Sequence, residues 1–84
     1  MKYAFLDKQD HLLAYGEKIE AAQKVFNFSL NNSILTAQPK GFKKVTFHNY
    51  AKDFSKEEML NDAASFLITK AKDLWGITVL KQEN

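Results

Sequence analysis

The segment from Phe54 to Gly76 constrains this chain more than any other. Leu60, Ala63, Ala64, Leu67, Ala71, Leu74 and Trp75 recur at helical spacing and form one continuous apolar face. Ser55-Lys56-Glu57-Glu58 reads as a capping box, in which the Ser55 hydroxyl accepts from the Glu58 amide and the Glu58 carboxylate reaches back. Phe54 and Met59 flank the cap as a hydrophobic staple. Lys70 and Lys72 lie near the negative C-terminal end, and Gly76 supplies the stop. A helix with such a stripe must bury it against a second layer.

The rest of the chain supplies that layer. Tyr3–Leu6 and His11–Tyr15 are strand-like runs joined by Asp7-Lys8-Gln9-Asp10, whose turn chemistry predicts a hairpin. Glu17 to about Leu30 carries Ile19, Ala22, Val25, Phe26 and Leu30, close to a second helical stripe, with Asn31-Asn32 as its stop. Ile34–Ala37 is a third strand. Pro39-Lys40-Gly41 forms a turn, because Pro fixes φ and Gly accepts positive φ. Phe42–Tyr50 then shows a period of two, with Val45 and Phe47 on one side and Phe42, Lys44, Thr46, His48 and Tyr50 on the other. Ile77–Leu80 closes the series, and Lys81–Asn84 reads as a solvated tail.

The order β-β-α-β-β-α-β predicts an α+β two-layer sandwich: a small, mostly antiparallel sheet with two helices on one face. Its 84 residues fit one compact domain over residues 1–84, without linker or repeat. A domain this small buries a modest fraction of its surface, so its eleven aromatics should supply much of the core. The sheet cannot hide all of Tyr3, Phe5, Tyr15, Phe28, Phe42, Tyr50 and Phe54, so a ring-bearing face or an unpaired edge strand is expected at the surface.

Composition narrows the chemistry. With no Cys, disulfide frameworks and cysteine-type zinc sites are excluded. The N-terminus meets charge at Asp7-Lys8 after only four apolar residues, Tyr3–Leu6, too soon for a secretory signal, and the apolar run Ala63–Ile68 is far short of a membrane span. The expected compartment is the cytoplasm, with no membrane partner. All twelve basic residues are Lys, so the bidentate reading of phosphate or carboxylate that Arg provides is lacking.

Catalytic constellations are thin. His11 and His48 are the two imidazoles, and no metal-ligand spacing joins them. Asp7 and Asp10 suit a turn, and Glu57 and Glu58 suit a helix start. Ser29, Ser33 and Ser65 lack a nucleophile motif, and Gly16, Gly41 and Gly76 stand apart rather than in a phosphate-cradling loop. The expectation is a protein without enzymatic activity, metal or cofactor.

The segment Lys40–Lys56 differs from its surroundings. It carries five Lys against one Asp, +4 in a chain whose total is +2, interleaved with Phe42, His48 and Tyr50. Basic and aromatic side chains on one sheet face can hold single-stranded nucleic acid, by charge along the backbone and stacking under bases. Within it, Lys40-Gly41-Phe42-Lys43-Lys44-Val45-Thr46-Phe47 resembles the longer signature of RNA-recognition motif domains, with matches at Lys40, Gly41, Phe42, Val45 and Phe47. That resemblance implies a β-α-β-β-α-β fold, base stacking by Phe42 and a phosphate contact by Lys40. Lys43 stands where the family has a small residue, and Lys44 where it has its second stacking aromatic.

The leading expectation is a small protein that acts stoichiometrically on a macromolecular partner, foremost another protein. Inhibitors, immunity proteins, adaptors and small proteins of phages and mobile elements are of this type. Phe42, Lys44, Thr46, His48 and Tyr50 are its candidate contact residues, and a homodimer is another use of the same face. The alternative is a single-stranded nucleic-acid binder using Lys40, Phe42, Lys43, Lys44, His48 and Tyr50.

Overall fold

A computed structural model describes residues 2–50 and 56–82. It has eight elements: β1 (Lys2–Leu6), β2 (Leu12–Gly16), α1 (Lys18–Phe26), β3 (Ser29–Asn31), β4 (Ile34–Ala37), β5 (Val45–Phe47), α2 (Lys56–Trp75) and β6 (Thr78–Gln82). The class is α+β, as the pattern predicts. The strands make two three-stranded antiparallel sheets rather than one, in the orders β2-β1-β6 and β3-β4-β5. The molecule is flat, 36 × 31 × 17 Å, leaving depth for only two layers.

The extra strand comes from the region read as the end of the first helix. α1 stops at Phe26 because Asn27 turns left-handed (φ 47°, ψ 50°) and donates its amide to the Gln23 carbonyl. The Phe26 carbonyl is taken by the Gln38 amide at 2.9 Å. Chain beyond this point alternates Phe28, Ser29, Leu30 and Asn31, and β3 follows that period of two. Asn31 and Asn32 are therefore not a helix stop. Asn32 and Ser33, at φ 48° and 69°, form the positive-φ turn that joins β3 to β4.

β5 is shorter than the period of two predicts. It pairs with β4 at three positions, Phe47, Thr46 and Val45 opposite Leu35, Thr36 and Ala37. Outside that register the backbone is committed elsewhere. The Phe42 amide donates to the Pro39 carbonyl in a turn with Gly41 at φ 85°, and the Trp75 indole takes the Lys43 carbonyl at 2.8 Å. Beyond Phe47 the chain turns through Asn49 (φ 55°), and the Tyr50 amide donates to the Ser33 carbonyl.

The second helix carries the expected stripe, with Ala63, Ala64, Leu67, Ala71 and Trp75 buried. It ends in a left-handed αL cap: the Gly76 amide donates to the Lys72 carbonyl, the Ile77 amide donates to the Ala71 carbonyl, and Gly76 sits at φ 70°. The capping residues Phe54 and Ser55 lie outside the described residues. Lys81 and Gln82 belong to β6, paired with Tyr3 and Lys2, and are not part of a solvated tail.

Small residues bring the layers close. Ala21 and Ala22 of α1 and Ala63, Ala64 and Ala71 of α2 are all buried, and the two helices pack together. Phe26 lies at their centre, 5.5 Å from the rings of both Phe5 and Trp75. Both helices cover the Phe5 side of the β2-β1-β6 sheet. The other sheet adds the cross-strand row Leu30, Leu35 and Phe47, and Phe47 meets Phe66 of α2 edge-on at 4.9 Å.

Candidate binding surfaces

The sequence-derived site is divided by the fold. Lys44, Thr46 and His48 are exposed, as are Lys40 and Lys43. Phe42 and Tyr50 are half-buried and pack against the core, so they do not share an open face with Thr46. Phe42 precedes β5 and Tyr50 follows it, which removes the strand alternation that had grouped them. Tyr50 leans on Phe66, with ring centroids 5.1 Å apart, and its hydroxyl donates to the Asp62 carboxylate. Burial, aided by that carboxylate, pushes the Tyr50 phenol well above its usual range. The open base-stacking ring that the RNA-recognition resemblance implied at Phe42 is a ring turned to the core.

The histidines stand in separate settings. His11 closes the β1–β2 loop, where its amide and that of Gln9 donate to Asp7 Oδ1 at 2.8 and 2.9 Å, while its Nδ1 lies 3.3 Å from Asp7 Oδ2. The His11 amide is the main reason the Asp7 carboxyl titrates below its usual range. Asp10 holds φ 64° in the same loop, so both aspartates serve the turn. His48 follows β5 on the other sheet. Among the described residues no cluster of His, Asp and Glu is arranged to hold a metal ion.

Two surfaces stand out. The first is the outer face of the β2-β1-β6 sheet, opposite the helices. Ala4 is flanked there by Tyr15 and Leu80, and Leu6 by Leu12. Leu12, Tyr15 and Leu80 keep 61, 53 and 53% of their surface exposed. The Tyr15 hydroxyl donates to Gln82 Oε1 at 2.8 Å, across the central strand, and Lys2 pairs with Glu17 at 3.1 Å on the rim. That lysine holds the Glu17 carboxyl below its usual range. Both outer strands of the sheet, β2 and β6, have one unpaired edge among the described residues.

The second surface surrounds the β4–β5 loop. A cleft of about 240 Å3 between α1 and this loop is lined by Leu13, Lys24, Val25, Pro39, Lys40 and Phe42. A wider cleft shares Lys24, Pro39 and Lys40 with it and continues past Gln23, Asn27 and Gln38. Beyond Phe42 a third cleft brings Lys8, Lys43 and Lys72 around Trp75, with Asp7 and Asp73 among them.

Sequence reading placed Lys40 and Phe42 at a surface of interest but missed Leu12, Leu13, Lys24 and Leu80. The run Leu12-Leu13-Ala14-Tyr15 on a predicted hairpin was the available signal, since two of its residues must face away from the core. No helix among the described residues is long and apolar enough to cross a membrane. No protein-family model, curated protein or solved structure matches this chain.

Proposed function

We propose that this chain is a non-enzymatic binding protein that acts stoichiometrically on a partner protein, in the manner of an inhibitor or adaptor. The observation that carries the reading is the outer face of the β2-β1-β6 sheet, where Leu12, Tyr15 and Leu80 are more than half exposed. Single exposed apolar residues are ordinary on a protein surface, but these three cluster around Ala4 and Leu6 on one face. Apolar centre and polar rim together form the anatomy of a protein interface, with Tyr15 as its aromatic anchor.

The test is affinity capture from the native host with the wild-type chain and a Leu12→Thr/Leu80→Thr variant. Both positions are exposed and Thr suits a strand, so the variant should melt within a few degrees of wild type. One protein captured at equimolar ratio by wild type and lost from the variant supports the proposal. Equal capture by both proteins, or none by either, overturns it.

A further inference from the structure

The groove between α1 and the β4–β5 loop points to a second binding site, distinct from the outer sheet face. We infer that it takes an acidic peptide segment with an apolar side chain, supplied by another protein. Leu13, Val25, Pro39 and Phe42 line the inner cleft, an apolar floor with room for one large side chain. Leu13 contributes despite its place on an edge strand, with 40% of its surface exposed.

Charge selects the occupant. Lys24 and Lys40, with Pro39, line both the inner and the outer cleft. Among the described residues, no acidic one lines either cleft. Carboxylates on each side of an apolar anchor would meet these ammonium groups. The outer cleft adds Gln23, Asn27 and Gln38, whose amides can both donate to and accept from a peptide backbone.

Nucleic acid fits these walls less well. Stacking needs an open ring face, and the ring in the groove, Phe42, packs against the core. Phosphate recognition would rest on Lys alone in a chain without Arg. An apolar floor between two lysines has a counterpart in an acidic peptide bearing Leu or Phe and none in a sugar–phosphate backbone.

The test is fluorescence anisotropy with three labelled probes: a peptide of Asp and Glu with one central Phe, the same peptide with Ser in place of Phe, and a single-stranded RNA of mixed sequence. The expected order has the Phe peptide tightest, about tenfold over the Ser peptide, since an apolar ring that fills an apolar pocket is discriminated at least that strongly from a small polar side chain. Binding should weaken with added salt and fall about tenfold or more in Lys24→Glu/Lys40→Glu, two exposed positions that leave the fold intact. Equal binding of both peptides overturns the proposal, as does binding unchanged by the double charge reversal. RNA binding as tight as the Phe peptide would assign the surface to nucleic acid instead, and no peptide binding at low salt would remove the site. Leu80→Thr, on β6 and away from the Leu12–Leu13 bulge, serves as the control: it should bind the Phe peptide as wild type does, whatever becomes of the outer-face reading.

Discussion

Asn27 decides where α1 ends, and one substitution there reverses sign between the two ways of folding this segment. At φ 47° and ψ 50° the residue is left-handed, a conformation that a Cβ-bearing residue without Asn's local hydrogen bonding pays about 1–2 kcal/mol to adopt. Asn bears part of that cost itself, so Asn27→Ala should destabilise the protein by about 1 kcal/mol. In a domain of this size that lowers the melting temperature by roughly 4–8 °C. Total stability is expected at roughly 4–13 kcal/mol, so the variant still folds. Asn27→Gly relieves the strain but frees the unfolded chain, and should stay within about 0.5 kcal/mol of wild type.

A helix continuing to Leu30 makes the opposite prediction. Position 27 would be helical, and Ala is preferred there over Asn by up to about 0.7 kcal/mol. The assay is urea unfolding followed through Trp75, the one tryptophan, which is 4% exposed and touches Phe26 one residue before the cap. Stabilisation by Asn27→Ala would refute the left-handed cap, and with it β3 and the Phe26–Gln38 hydrogen bond that position the wall of the groove.

Two further perturbations test the local chemistry. Asp7 titrates below its unfolded value near about 4, chiefly through the His11 amide, so its charge stabilises the fold above that pH and the contribution is lost on acidification. Asp7→Asn should therefore melt below wild type at neutral pH and converge with it in acid; a gap that persists in acid contradicts this. Gly76→Ala should cost about 1–2 kcal/mol through its positive φ. A Cβ there would also lie 2.3 Å from Lys8 Cε, but that side chain can swing away, so Lys8→Ala added to Gly76→Ala should recover little in a thermal melt.

The legible and illegible parts of the chain differ in how many residues vote. Five buried positions of α2 repeat one signal, and its Gly76 stop was predicted and found. Phe26, Phe28 and Leu30 are ambiguous: Phe26 and Leu30 fit a helix at i, i+4, while Phe28 and Leu30 fit a strand at i, i+2. What resolves them is the left-handed Asn27, backed by the Gln38 amide donating to the Phe26 carbonyl, a tertiary contact with no local sequence signature. The same holds at β5, where Val45 and Phe47 face inward as predicted but the strand stops because the chain turns through Asn49 and the Tyr50 amide donates to the Ser33 carbonyl. Phe42 and Tyr50 fell into one group only through an alternation that the backbone does not sustain.

Both proposed surfaces depend on one irregularity in β2. The register passes from Phe5 opposite Ala14 to Leu6 opposite Leu12, so Leu13 is an extra residue in the edge strand. Such a bulge re-aims side chains. Leu12 takes the place opposite Leu6 on the outer face, and Leu13 lines the groove beside Lys24 and Val25. In an unbroken ladder Leu13 itself would face Leu6, and the groove would lose an apolar wall. A strand of five residues thereby serves an apolar face on one side of the sheet and a basic, apolar-floored groove on the other. Two exposed leucines in succession on an edge strand are an aggregation hazard. Sending them to different surfaces divides that hazard and gives each leucine a separate site to complete.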